Sequence, residues 1–161
     1  MADLDEKRIN PFILEAQNCD LKPVLNPALY LDFIKKMQTP ADPDYTKYNE
    51  LLIGKEYTID SYTIQFEGVR PMLAYYALAR FAANNPLHVT RTGIVSKNIS
   101  ESERAEASTL RAFINELRSA ALGYQIEVIK FLDQKISDYP LYNYNRSAGS
   151  AVTTSFNFFK L

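Results

Sequence analysis

The sequence predicts a mainly α-helical fold: a bundle of about five helices with one long C-terminal helix, a small β-hairpin and extended termini. Three stretches indicate this class: a proline-free stretch with one apolar stripe from Ser100 to about Asp138, a nearly uncharged stretch from Pro71 to Asn84, and a period-two pattern over residues 56–67. The chain has 161 residues, 47% of them hydrophobic, which is enough for one domain with its own core.

The N-terminal end is predicted to be an arm followed by a short helix. Residues 1–10 are charged and are expected to be extended. Pro11 suits the first position of a helix, because the amide that proline lacks has no partner there anyway. This helix is expected to run to about Asp20 and to be broken by residues 21–25, which include a second proline.

Two further helices follow, each with a recognisable end signal. Asn26 before Pro27 predicts an N-cap and a helix that runs to about Gln38. After a proline-containing loop, a third helix is predicted from about Asp44 to Ile53. Gly54 is expected to end it, since glycine is the usual residue just beyond a helix C-terminus.

Residues 56–67 are predicted to form a β-hairpin. Alternate apolar residues on the second strand indicate a half-buried strand: Tyr62, Ile64 and Phe66. Tyr57 and Ile59 would lie on the partner strand, across a turn at Asp60 and Ser61.

The last two helices form the centre of the predicted bundle. Arg80 is the only charge between Pro71 and Asn84, and a short helix that is apolar on nearly every side belongs inside a core. After a connector, the final helix begins at Ser100, which has Glu103 at capping-box spacing. At about 1.5 Å per residue it would be on the order of 55 Å long. Its predicted buried stripe is Leu110, Ile114, Leu117, Ala121, Tyr124, Val128 and Phe131.

The sequence therefore divides into an arm (1–10), a helical domain (11–140) and an extended tail (141–161). The tail has no acidic residue, and its end alternates like a strand. Phenylalanines left in water would be costly, so they must be covered, either by the chain's own core or hairpin or by a neighbouring chain. The candidate subunit-interface residues are Val152, Thr154, Phe156, Phe158 and Phe159.

Composition gives no support for catalysis, and we expect no enzyme activity, no cofactor and no metal. His88 is the only histidine and Cys19 the only cysteine, whereas a zinc or transition-metal site needs several such ligands. His88 has no catalytic pattern around it, and Cys19 is expected to be a small, buried or half-buried side chain. A single cysteine excludes an internal disulfide framework and fits a reducing cytosol.

Charge and hydropathy restrict the partners. The net charge of −1 does not favour a broad nucleic-acid surface. Arg104, Arg111 and Arg118 are seven residues apart and so lie roughly along one helix face. That face is either solvated or ion-paired, or it contacts DNA in the channel of a ring. There is no run of about 18 apolar residues that would predict a membrane span, and the charged N-terminus does not look like a signal peptide.

Three stretches carry a resemblance to a known group of proteins. They are 12–17 with 20–25 (FILEAQ and DLKPVL), 68–81 (GVRPMLAYYALARF), and 89–97 (VTRTGIVSK) with Asn98 and Ser100. The chain resembles small virion proteins of tailed phages and prophages of Bacteroides-type bacteria, including crAss-like phages, which are similar to head–tail connector or neck-ring proteins. The resemblance spans most of residues 12–140 and leaves the tail uncovered.

The resemblance implies a helical subunit of a homo-oligomeric ring, twelve-fold in expectation, located below the portal in the virion neck. Such a ring extends the DNA channel and supports tail attachment, in contact with the portal protein and other neck or tail proteins. It implies no catalytic residue and no membrane. Three alternatives remain open: another virion role such as a tail-completion protein, a small helical regulatory or binding protein of a prophage, and an enzyme.

Overall fold

The computed structural model describes residues 6–84 and 100–143, with side chains over 7–84 and 108–142. Within these residues the chain is mainly helical, and the predicted fold class is confirmed. The helices are α1 (Glu6–Ala16), α2 (Lys22–Leu25), α3 (Pro27–Met37), α4 (Tyr45–Ile53), α5 (Val69–Asn84) and α6 (Ser100–Gln134), with a π-helical turn at Gln17–Leu21 and a 3-10 turn at Pro140–Asn143. The two strands are β1 (Lys55–Ile59) and β2 (Tyr62–Phe66).

Helix α1 begins at Glu6 rather than at Pro11, so the predicted extended arm is wrong for residues 6–10. A proline inside a helix loses one backbone hydrogen bond. Packing against α5 offsets that loss, because the ring of Phe12 meets the edge of Phe81 with 5.6 Å between centroids. The guanidinium of Arg8 also lies 5.9 Å from the Phe81 ring centre.

The break predicted over residues 21–25 is also wrong, since the chain passes from the π-helical turn directly into α2. Leu21 and Leu25 are both buried in the core, and this burial favours continued helix. Pro23 lies in the first turn of α2, and the burial of Leu21 and Leu25 on either side offsets the amide that proline lacks. Cys19, on the π-helical turn, is exposed rather than buried.

Asn26 caps α3 as predicted and also holds the far end of the described chain. Its side-chain oxygen accepts hydrogen bonds from the amides of Ala28 (2.9 Å) and Leu29 (3.0 Å). Its side-chain nitrogen donates to the carbonyl oxygens of Leu141 (2.8 Å) and Tyr142 (2.7 Å). The helical domain therefore extends past residue 140 and includes the 3-10 turn.

Helix α5 lies at the centre of the bundle, packed by α1, α4 and α6. Its one inward charge, Arg80, is neutralised by Asp20 of the π-helical turn. The guanidinium donates from Nε to Oδ2 (3.1 Å) and from Nη2 to Oδ1 (3.0 Å) and Oδ2 (2.8 Å). This pairing lets a nearly apolar helix carry an arginine into its packed surroundings.

The predicted stripe of α6 is its inward face. The fully buried members are Leu117, Ala121, Val128 and Phe131, while Leu110, Ile114 and Tyr124 are half-buried. The helix ends at Gln134 and not near Asp138. The following turn brings Tyr139 into the core, where its ring lies 6.1 Å from that of Phe131.

Two glycines close the base of the hairpin. Gly54 has φ +93° and Gly68 has φ +78°, a backbone region that other residues rarely adopt. A Cβ on Gly54 would lie 2.1 Å from the carbonyl oxygen of Phe66. A Cβ on Gly68 would lie 2.4 Å from that of Leu52. The chain thus enters and leaves the hairpin in backbone-to-backbone contact.

Candidate functional site

The β-hairpin forms as predicted, with a two-residue turn. Asp60 (φ 44°) and Ser61 (φ 74°) both have positive φ, the geometry that matches the natural twist of paired strands. The register pairs Tyr57 with Ile64 and Ile59 with Tyr62. Cross-strand partners point to the same side of a sheet, so one side of this hairpin is apolar except for Lys55, which pairs with Phe66 at its open end. We call it the hairpin face: Tyr57, Ile59, Tyr62, Ile64 and Phe66.

The base of the hairpin face packs on α6. The Phe66 and Phe131 rings are stacked, with centroids 4.1 Å apart and an interplanar angle of 7°. Tyr57 meets the same Phe131 ring edge-on at 5.2 Å. Burial raises the pKa of the Tyr57 hydroxyl, and the charge of Glu127 raises it further, so Tyr57 stays neutral. The hairpin is therefore anchored on one flank of α6.

The tip of the hairpin face projects from the bundle. Tyr62 is 75% exposed and Ile64 is 40% exposed, whereas Phe66 is 2% exposed. The prediction of a half-buried β2 is therefore correct only at its last residue. The ring contacts with α6 are made by Tyr57 and Phe66, and no second layer covers the tip within the described residues. An apolar surface next to a rigid anchor is a candidate for assembly.

A second exposed surface lies on α6, which we call the outer face. Leu122 (45% exposed) and Ile126 (52% exposed) are one turn apart. At about 100° per residue, Ile126 lies roughly 140° around the helix from Phe131, where the hairpin is anchored. The spacing of Leu122 and Ile126 off the main stripe was the signal in the sequence that our predictions missed.

The arginines of the predicted DNA face continue the outer face. Arg111 and Arg118 are exposed and form no ion pair with any residue whose side chain is described. The structure brings these two together with Leu122 on one side of α6. The side chain of Arg104 lies outside the described set.

Several predicted site residues cannot be placed by the structure. His88 and the whole candidate interface on the tail lie outside the described residues. Those interface residues are Val152, Thr154, Phe156, Phe158 and Phe159.

The most strongly perturbed ionisable groups are buried tyrosines with structural roles. Tyr48 donates its hydroxyl hydrogen to Asp32, and Tyr139 donates to the backbone oxygen of Lys47 at 2.9 Å. Burial raises the pKa of Tyr48 and of Tyr139 far above the ordinary value, so both remain protonated donors. The two rings meet edge-to-face at 5.8 Å, which ties α4 to the chain after α6.

The described parts of the chain contain neither a group of metal-ligating side chains nor a membrane-spanning helix. Over 7–84 and 108–142, no three His, Cys, Asp or Glu side chains are grouped as metal ligands would be. The helices described over 6–84 and 100–143 include none whose length and apolar character would allow it to cross a bilayer.

Comparison with known proteins places the chain in a family but not in a functional class. The profile of a family of unknown function, DUF6712, matches residues 21–152. The match covers most of the chain, which therefore belongs to this family. No curated protein and no solved structure matches it.

Proposed function

We propose that this member of the DUF6712 family is a structural protein of a tailed bacteriophage, a subunit of the head–tail connector or neck ring. It is made in the bacterial cytoplasm and assembles below the portal protein as a homo-oligomeric ring, twelve-fold in our proposal. There it extends the DNA channel and supports tail attachment through other neck and tail proteins. The resemblance of residues 12–140 to connector proteins suggests this role, and the surfaces of the described chain support it.

The observation that carries the proposal is the presence of two unlike apolar surfaces on different sides of α6. A closed ring is built from head-to-tail contacts, in which one patch of a subunit meets a different patch of the next. The hairpin face and the outer face meet this requirement, because one is anchored at Phe131 and the other lies about 140° around the helix. A two-fold dimer would need only one self-complementary patch.

The length of α6 supports a ring wall. Its 35 residues span about 52 Å, while the 16 residues of α5 span about 24 Å. Helix α6 thus extends well beyond its main packing partner. A single domain does not need such a helix for its own core, but a subunit that must present contacts at two heights of a ring does.

The exposed arginines of the outer face fit a minor role next to DNA. Arg111 and Arg118 are about 10 Å apart along α6 and could contact phosphates without reading sequence. With a net charge near zero, the chain would hold passing DNA weakly, which a channel requires. In this arrangement the arginine edge of the outer face lies toward the channel, while Ile126, about 80° further around the helix from Arg118, approaches the neighbouring subunit.

Imaging of particles assembled with and without this chain tests the proposal. We expect ring-shaped density at the vertex where head meets tail, and its loss when the chain is omitted. Ile126→Glu should reduce incorporation, whereas Gln134→Glu, which adds the same charge at an exposed site on the same helix, should not. A stable monomer that never joins particles would refute the proposal and favour a small helical regulatory or binding protein.

A further inference from the structure

Within the described residues, the outer edge of β2 pairs with no other strand. The described sheet has two strands, and β2 runs Tyr-Thr-Ile-Gln-Phe from Tyr62 to Phe66 without a charged residue or a proline. All of β2 except Phe66 is exposed, whereas β1 alternates between half-buried and exposed positions. Natural sheets usually protect such an edge with lysine, proline or a bulge, because its unpaired amides and carbonyls bind other strands. An edge without these features is suited to accept a strand.

The apolar hairpin face also favours the binding of a third strand. A two-stranded hairpin is marginally stable, and a third strand that extends its apolar side would stabilise it. Ile59 on β1 and the exposed Tyr62 and Ile64 on β2 form an apolar strip that such a strand would lengthen. The strand that docks here should therefore alternate apolar and polar residues and carry few acidic groups.

The chain itself contains a segment of this kind. The described residues end at Asn143, and 18 residues follow it. Within them, residues 152–158 read Val-Thr-Thr-Ser-Phe-Asn-Phe, which alternates as a strand does. The eight residues between, 144–151, can span up to about 27 Å when extended. The segment is thus long enough to reach beyond its own domain.

Charge favours the same pairing. The segment after Asn143 has two basic residues and no acidic one. Exposed acidic side chains surround the hairpin at Glu56, Asp60 and Glu67, while Lys55 is already paired with Glu50. A basic tail and an acidic hairpin attract each other, and this attraction orients the approach.

We propose that residues 152–158 of one copy add to the free edge of β2 in a second copy, as the third strand of its hairpin sheet. This inference rests on the proposed ring, in which every subunit must offer one donor surface and one acceptor surface. A tail folded onto the hairpin of its own chain would occupy the donor surface and the acceptor surface of that subunit together. Strand addition supplies backbone hydrogen bonds for affinity and alternate side-chain contacts for register.

Disulfide trapping between full-length chains tests the pairing. In a Cys19→Ser background, one chain carries Thr63→Cys on the polar side of β2. The other carries a cysteine at Thr153, Ser155 or Asn157, the tail positions of matching polar parity. After mixing and mild oxidation, we expect a covalent heterodimer for at least one tail position. A chain with both cysteines should give a ladder of covalent oligomers.

A matched control separates pairing from chance collision. Thr46→Cys on α4 is exposed but lies off the hairpin, and with the same tail cysteines it should give a several-fold lower yield. Adding Phe156→Ser and Phe158→Ser to the chain with the tail cysteine should lower the heterodimer yield with Thr63→Cys to the level obtained with Thr46→Cys. Equal yields at Thr46 and Thr63, or no product from any tail position, would overturn the proposal. So would a double-cysteine chain that closes a disulfide within one monomer.

The outcome is distinguishable from that of the proposed function. Rings at the phage vertex without trapped dimers would leave the connector function standing and refute tail exchange. Trapped dimers from a protein that never joins particles would support tail exchange and refute the connector function.

Discussion

Replacing Gly68 with alanine should destabilise the protein strongly, because this residue lies where the hairpin rejoins the bundle. The φ of +78° disfavours any side chain, at a cost of about 1–2 kcal/mol. The new Cβ would also lie 2.4 Å from the carbonyl oxygen of Leu52 and 2.6 Å from the amide nitrogen of Gly54. Both are backbone atoms and cannot rotate away, so relief requires the strand to move.

We expect a total loss of at least about 2 kcal/mol in the free energy of unfolding from these two effects. For a chain of this length that corresponds to a fall in Tm of about 4–8 °C. Thermal and urea unfolding followed by circular dichroism would measure it, with the urea slope checked for a change in the folded state.

Gly123→Ala is the matched control, since it makes the same chemical change inside α6 with open space around the position. It should stabilise the protein by about 0.5–1 kcal/mol, because alanine favours a helix interior more than glycine does. Surface substitutions usually change the free energy of unfolding by no more than about 0.5 kcal/mol. If Gly68→Ala changes it by no more than this, the close backbone contact at the base of the hairpin is refuted.

Three further substitutions test the packing. Asn26→Ala should lower the free energy of unfolding by about 2–3 kcal/mol, because it removes a helix cap and two hydrogen bonds to carbonyls. The control Asn18→Ala, at an exposed site, should change this free energy little. Tyr139→Phe should cost about 1 kcal/mol by removing the bond to the Lys47 carbonyl; no change in urea midpoint would argue against that bond. The hydrogen bond from Lys36 lowers the pKa of Asp42 below its usual 3.8. The pair therefore stabilises the folded protein above pH 3.8, and this stabilisation is lost as the pH falls through the lowered pKa of Asp42. Lys36→Met should therefore flatten the acid side of a stability–pH curve, and an unchanged curve would contradict the pairing.

Features of the fold that depend on neighbouring residues in the sequence were predicted well. The apolar stripe of α6, the cap at Asn26 and the turn at Asp60 and Ser61 each depend on a few adjacent side chains or on one repeat. Periodicity and end signals are local, so they can be recognised without knowledge of what packs against them.

Features that depend on distant partners were predicted poorly. The helix through Pro11 exists because Phe81 packs against it, some seventy residues later in the chain. Tyr62 is exposed while Phe66 is stacked on Phe131 of α6, and alternation alone does not reveal which end of the strand packs on the bundle. Cys19 is exposed because the π-helical turn directs it outward, and nothing near it in the sequence signals that turn.

The candidate site likewise has parts that the sequence alone predicts and parts that require the structure. Residue types and spacing predicted a site on the aromatic tail, which lies outside the described residues, and an arginine line, of which Arg111 and Arg118 lie on the same side of α6 as the outer face. The apolar pair on that face required the structure, because two exposed apolar residues on a helix are ordinary until their position relative to the hairpin is known. The proposed role in a neck ring came from resemblance, since no side-chain chemistry specifies it.

The double contact of Asn26 has a mechanical consequence. If a neighbouring copy pulls on the tail, the force reaches the fold at Leu141 and Tyr142, whose carbonyls Asn26 holds at the start of α3. Part of the load then passes to α3 through the short, half-buried side chain of Asn26. If the tail binds a neighbouring copy as proposed above, its load is therefore shared between α3 and the C-terminal end of α6.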